Sequence, residues 1–357
     1  MSNEQEIPDR MYGLVKTKDE IGYDFDENMI VPHPIEDEVL IKVESVSLCG
    51  SDLVLWNWTD AAKVIASIPF TPGHECCGTV VKCGPESKLQ IGDRVAVENH
   101  FFCGKCHQCK HDRGDICSDM GQYGHGKKTP YGGCSQYSIV SSKYCYKLGN
   151  IINADEAALL EPLGVAHNAV ENLGDLNRED VLIIGAGPIG LMAIPCVKSC
   201  GANRVIICDI NEKRLQFAKE MGADHVINTN HQNLSESISQ LTNGDGIGRL
   251  IECSGAVQIA SIMFQLVRKG GHIVLVGLVK QPLIIENYMR DLVFKSIQIR
   301  GIHGRRIFHT WRETEKLVES KRVDISKLIS HKFQFKDYKK AFEILLSGEA
   351  HKIILTP

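Results

Sequence analysis

The ten residues VLIIGAGPIG, Val181 to Gly190, decide the fold. Their first four side chains are apolar and read as a strand buried on both faces, and the glycines Gly185, Gly187 and Gly190 follow before an apolar run of helical spacing. Strand, GxGxxG, helix is the order a dinucleotide-binding turn requires. Gly185 permits the tight turn, Gly187 lets the backbone approach a pyrophosphate, and Gly190 allows helix and strand to pack closely. Pro188 and Ile189 complete the loop. The phosphates would meet the helix N-terminus, whose unpaired N–H groups and dipole favour anions. Asp209, 19 residues after Gly190, closes a second strand, VIICD, where its carboxylate can accept hydrogen bonds from the adenosine ribose hydroxyls. A 2'-phosphate there would be repelled, so NAD is expected over NADP, with Arg214 as a nearby cation able to tolerate that phosphate.

Outward from this turn the same texture continues. RVIICDI, HVIN, LIECSG and HIVLVGL alternate with helical stretches, the signature of βαβ units on a parallel sheet and of an α/β fold. The alternation stops near residue 300. Upstream, residues 38–48 (EVLIKVESVSL) and the stretches TVVKCG, GDRVAVE and CSQYSIV alternate apolar and polar between glycine-rich turns, so the first 150 residues read as mostly β. The tail carries a helical stretch from about Thr310 to Ser320, then KDYKKAFEILLSG and the strand-like KIILTP, and is expected to return to the first lobe. These patterns give two domains, one of residues 1–160 and 305–357, the other of residues 161–304. Pro195, inside the helix after the glycine turn, should kink it or cost it one hydrogen bond.

The 357 residues fit two domains, and 43% hydrophobic with 24% charged residues is ordinary globular composition. A formal charge of -4 gives no reason to expect nucleic acid or an anionic membrane as partner, so a small-molecule ligand is expected. MSNEQEIPDR lacks the basic and apolar regions of a signal peptide, and no apolar run approaches the roughly 18 residues of a spanning helix; a cytoplasmic protein is expected. In that reducing compartment CGKCHQCKHDRGDIC points to metal rather than disulfides. Its spacing, C-x2-C-x2-C-x7-C through Cys103, Cys106, Cys109 and Cys117, departs from the ferredoxin run, and Ser118 stands where that run has proline. A nucleic-acid finger would need a second ligand pair and a basic field. Four thiolates around a tetrahedral zinc, closed and therefore structural, fit a lobe of residues 100–120.

Cys49 in LCGSD, His74 and Glu75 in PGHECCG and Glu161 in LLEPLG are candidates for a second metal. Singly, each suits a buried cysteine, a satisfied core histidine or an ordinary helix residue, and no spacing rule joins them. Cys76, Cys77, Cys83, Cys134, Cys145, Cys196, Cys200, Cys208 and Cys253 read as small core residues.

Through CGSD, GHE-x2-G, the cysteine lobe, EPLG and GAGPIG, in that order, nearly the whole chain resembles the zinc-dependent medium-chain dehydrogenases. WNW at 56–58, His100, EPLG at 161–164 and RGIHGRRIFHTW at 300–311 are most similar to the L-threonine 3-dehydrogenase branch; polyol (sorbitol) and butanediol dehydrogenases share the metal and coenzyme motifs. The resemblance implies a GroES-like, mostly β catalytic domain and a Rossmann domain with a doubly wound parallel sheet. It implies two zinc ions per subunit, the catalytic one held by Cys49, His74 and Glu75, with Glu161 as a further or alternating ligand or as a base. It places Ile189, Asp209, Arg214, Val276, Gly277, Leu278, Ile302 and His303 where the family binds NAD, and His100 beside the substrate. Ser51 would begin the proton relay, but Val54 stands where the family's next relay group is histidine, so the proton must leave through water or by way of Glu161. The implied activity is NAD-linked oxidation of a secondary alcohol to a ketone by a homo-oligomer, dimer or homotetramer. L-threonine is the first substrate expected and a polyol or 2,3-butanediol the second; an idle NAD-binding redox sensor is the alternative of another class.

Overall fold

The ten-residue strand Glu38–Ser47 organises the first unit, because its backbone pairs with other strands on both edges. It runs antiparallel to Glu75–Cys83 from Val39 opposite Cys83 to Ser47 opposite Glu75. It also pairs antiparallel with Tyr137–Ser141 and with Lys352–Thr356, where Ile354 faces Ser47. Arg94–Val97, Cys145–Lys147 and Ile329–Gln334 complete the sheet. Val39, Ile41, Val43, Val46, Val80, Ile353 and Leu355 meet in one core. Fully burying each such side chain stabilises by about 1.5–3 kcal/mol. The register has a functional result: the ends of three strands, at Ser47, Glu75 and Lys352, arrive at one place.

In the computed structural model, which describes residues 6–279 and 281–357, this unit comprises Met1–Glu161, Ile307–Glu315 and Ile325–Pro357. The second comprises Pro162–Arg306 and Lys316–Asp324. Sequence alone assigns residues 305–357 to the first unit; residues 305–306 and 316–324 instead group with the second. The division falls within the helix His309–Glu319: Glu315 accepts from the Tyr146 hydroxyl at 2.6 Å and the Gly149 N–H at 2.7 Å, whereas the helix end turns back on itself through the Arg322 N–H to the Leu317 carbonyl at 3.0 Å.

The second unit carries a six-stranded sheet in the order His225–Asn228, Arg204–Asp209, Asp180–Ile184, Ile247–Glu252, Val267–Leu275, Gln298–Gly301, every neighbouring pair parallel. Strand order reverses at Asp180–Ile184, the central strand that leads into the glycine turn, and open α/β sheets bind ligands beyond the C-terminal ends of strands at such a point. Leu182, Ile184, Ile206, Leu250 and Ile273 form the core. The helix Pro188–Ser199 continues through Pro195 without interruption. Among the described residues no helix is long and apolar enough to cross a membrane.

Candidate active site

Cys49 sits at the N-cap of the short helix Gly50–Trp56, two residues beyond the strand end at Ser47. Its N–H donates to Asp52 Oδ2 at 2.7 Å. The other oxygen of Asp52 lies 3.4 Å from His74 Nδ1, so one buried carboxylate holds the Cys49 backbone and faces the His74 ring. Ligand atoms of Cys49, His74 and Glu75 all lie within 4.8 Å of one another. His74 and Glu75 are buried, and Glu75 Oε1 has no hydrogen-bond partner among the described residues. A buried carboxylate oxygen without a partner is costly, and a cation bound by it, a thiolate and an imidazole removes that cost. Three protein donors with one open position suit a catalytic zinc, and a carboxylate behind the ligating histidine is its usual support.

Lys352 and Asp52 escaped the sequence. Lys352 Nζ lies 2.5 Å from Glu75 Oε2 and 2.7 Å from the Leu48 carbonyl, fully buried. The only signal was a cation opening the otherwise apolar strand KIILT. Burial works against its charge, but Glu75 overrides it and holds the Lys352 pKa above the usual lysine value. Burial likewise raises Glu75 despite Lys352, and opposes a charge on His74, which Asp52 nevertheless lifts well above the ordinary histidine value.

Ser51 Oγ lies 3.4 Å from His74 Nε2. Glu161, buried in the helix Ala154–Glu171, stands outside the three-residue cluster, and its Oε1 accepts from Asn99 Nδ2 at 3.1 Å. His100 is buried; its N–H donates to Glu98 Oε1 at 2.8 Å, while Glu98 Oε2 accepts from Trp311 Nε1 at 2.8 Å. Val54 is half-buried against the core. His125, another residue absent from the sequence reading, is a buried imidazole whose ring centroid lies 5.1 Å from that of His74. Burial, then the neighbouring His74, push its pKa down to about 4.

In the cysteine lobe the Sγ atoms of Cys103, Cys106, Cys109 and Cys117 also lie within 4.8 Å of one another. Cys106 Sγ is 3.5 Å from that of Cys109 and 3.8 Å from that of Cys117. A tetrahedron with zinc–sulfur bonds of about 2.3 Å has edges of about 3.8 Å, whereas a disulfide needs about 2 Å. Backbone N–H groups of Cys103 and Asp119 point at Cys117 Sγ at 3.3 Å each, and that of Cys106 at Cys103 Sγ at 3.3 Å, which favours thiolates. Of the other cysteines, Cys200 is exposed, contrary to its expected core position, because it caps the end of the glycine-turn helix; Cys83 and Cys253 are half-buried.

In the second unit Gly185 has φ +99°, a conformation that favours glycine, and a Cβ on Gly190 would come 1.9 Å from the Gly185 carbonyl oxygen. Gly187 is the N-cap and Pro188 and Ile189 the first helical residues. A Cβ on Gly187 would meet nothing within 4 Å, leaving open space before the helix N-terminus. A cavity of about 340 Å³ lies there, lined by Gly185, Gly187, Asp209, Arg214, Thr229 and Ser254 among others. Asp209 accepts from the Ala186 N–H at 2.7 Å and the Asn211 N–H at 2.9 Å. A pyrophosphate, and a ribose beside Asp209, fit this arrangement.

Val276, Gly277 and Leu278 follow the strand Val267–Leu275, and Ile302 and His303 follow Gln298–Gly301, so both groups lie past C-terminal strand ends but outside this cavity's lining. The N–H groups of Val276 and Gly277 donate to the Glu252 carbonyl, that of Ile302 to Leu275; Leu278 and His303 are exposed. Glu252, also missed from sequence, is buried and gathers Ser254 and the Gly255 N–H, fixing the adjoining loop.

Residues 35–150 match the model of the alcohol dehydrogenase GroES-like domain, and residues 188–320 that of the zinc-binding dehydrogenase domain. The chain is 38% identical to the L-threonine 3-dehydrogenase of Coxiella burnetii over 326 residues, 91% of this chain and 93% of that protein. It is 35% identical to the L-threonine 3-dehydrogenase of Thermococcus kodakarensis over 355 residues, 98% and 99% of the two chains. Among solved structures, an Escherichia coli protein described as a short chain alcohol dehydrogenase and complexed with NADH is similar at TM-score 0.88 and 25% identity, covering 98% of this chain and 100% of that one.

Proposed function

Because the chain belongs to the zinc-dependent medium-chain dehydrogenases, we propose that it oxidises a secondary alcohol to a ketone with NAD, and that L-threonine, at its 3-hydroxyl, is the substrate. The Cys49–His74–Glu75 cluster, half-buried at Cys49 and buried at the other two, with a carboxylate oxygen left for a cation, carries this proposal. When bound, zinc would supply Lewis acidity to the substrate hydroxyl and NAD a hydride acceptor.

Everything else is the work of the chain. Cys49 and Glu75 bring two negative charges to the ion, enough to cancel a divalent cation; Lys352 returns one positive charge and keeps the centre attractive to an alkoxide. Asp52 holds the Cys49 backbone and faces the His74 ring. Ser51, whose Oγ lies 3.4 Å from His74 Nε2, takes the hydroxyl proton in this reading. With Val54 unable to carry it on, the proton leaves through water or Glu161, which Asn99 holds by one oxygen. Asp209 favours NAD over NADP by repelling a 2'-phosphate. The four-cysteine lobe holds a second, structural zinc.

The enzyme works in the cytoplasm as a homo-oligomer. The sheet-edge strand Gln298–Gly301 is exposed along its whole length, and Leu278, Met289 and Phe294 nearby in sequence are exposed apolar residues; both features support pairing with a second copy.

NADH formation, followed by absorbance with L-threonine, sorbitol, xylitol, 2,3-butanediol and 2-butanol, tests the assignment. Highest kcat/KM on L-threonine, abolished by chelation and restored by zinc, is the expected result. Preference for sorbitol or the diol would move the substrate to those branches, and no turnover by zinc-loaded protein would leave a coenzyme-binding protein without activity.

A further inference from the structure

The loop Gly124–Gly126 presses against the segment that carries His74: a Cβ on Gly124 would lie 2.7 Å from the Gly73 carbonyl oxygen, and one on Gly126 1.9 Å from that of Ser67. The Ser67 N–H donates to the His125 carbonyl at 2.9 Å, which fixes the loop further. His125 between them is 4% exposed. A backbone held this tightly fixes the position of one imidazole.

Its ring nitrogens have different fates. Nδ1 lies 3.1 Å from the Tyr123 carbonyl oxygen, and a carbonyl can only accept, so Nδ1 carries the hydrogen. In the neutral ring Nε2 is then a bare acceptor. No group among the described residues donates to it, and it is not among the buried atoms sealed from solvent. Nor is it a ligand, since His125 falls outside the Cys49–His74–Glu75 cluster. Its ring centroid lies 5.1 Å from that of the ligand His74, so it borders the same space as the metal centre, and Asp52 and Glu161 both act electrostatically on it.

We propose that His125 is a specificity-determining residue: its Nε2 accepts a hydrogen bond from an O–H or N–H group on the carbon next to the carbinol, which makes the substrate class vicinal diols and 1,2-amino alcohols. The inference rests on alcohol oxidation at the Cys49–His74–Glu75 centre. It goes further in assigning a residue to the recognition of a second polar group, where Val54 and the metal ligands offer none.

His125→Asn keeps a donor for the Tyr123 carbonyl but removes the distal acceptor; His125→Gln places an amide oxygen near the lost Nε2. Both are compared with the parent, zinc-loaded, by kcat/KM for L-threonine, 2,3-butanediol and 2-butanol. The dissociation constants of L-threonine and the diol are also measured calorimetrically without NAD, and zinc content is checked. Relative to 2-butanol, His125→Asn should lose about tenfold on the substrate that carries the recognised donor, more if that donor is an ammonium, with a matching loss in calorimetric affinity and partial recovery in His125→Gln. A larger effect on threonine than on the diol identifies the amino alcohol, and the reverse the diol. Equal losses on all three substrates, or none, would overturn the assignment, as would a parent that binds neither donor compound. If the parent binds them but oxidises nothing, and the variant binds them more weakly, the recognition role stands and the dehydrogenase function falls.

Discussion

Lys352 shows how much a single side chain can decide. Its ammonium is the counter-charge of Glu75 in a buried site, and removing one member of such a pair strands the other. Lys352→Met should weaken zinc binding at the reactive centre by about 10–100-fold in chelator competition while the cysteine lobe keeps its ion, and Lys352→Arg should recover part of the loss. Unchanged zinc affinity in Lys352→Met would show that Glu75 needs no counter-charge. Residue types at this scale were partly legible. Cys49, His74 and Glu75 could be named from sequence, but only strand register brings them together, and that is set by side chains tens of residues away. Asp52, Asn99, Lys352 and His125 were silent because their roles come from what they face across the fold, and nothing in their neighbours along the chain reports that.

At the scale of elements, the glycine turn and its helix were fully legible, since close approach and backbone conformation leave few residues that fit. The strand Gln298–Gly301 was not: QIRG has neither apolar alternation nor a buried face, and only the neighbouring strand makes it one. Adjacent strands of the same sheet are joined by Asp180 and Arg204, whose Nε donates to Asp180 Oδ1 at 3.0 Å. Burial would raise the Asp180 pKa, but Arg204 and Asn203 bring it below the ordinary aspartate value. A carboxylate with a depressed folded pKa stabilises above its unfolded value, about 3.9, and loses that contribution as pH falls through the folded one. Asp180→Asn should therefore cost about 1–2 kcal/mol in urea unfolding at pH 7 and progressively less toward pH 3. A cost independent of pH would mean that shape, and not charge, matters there.

For the whole molecule, the alternation of textures predicted two units, while the grouping of residues 316–324 depends on packing that no local pattern encodes. Association between copies belongs to this scale as well. If the exposed edge Gln298–Gly301 pairs with a second chain, Ile299→Lys should shift sedimentation from dimer or tetramer toward monomer at micromolar concentration. A monomeric parent would remove the proposal.

The first unit is also assembled from distant segments, and Glu75 waits 277 positions for Lys352. On a ribosome adding about 5–20 residues per second, that is a delay of roughly a quarter of a minute to a minute. During it the nascent carboxylate has no cation of its own to be buried with, while the four cysteines of 103–117 emerge together and can capture an ion at once. Maturation thus has a built-in sequence: the lobe first, and the reactive centre only after Lys352 has emerged.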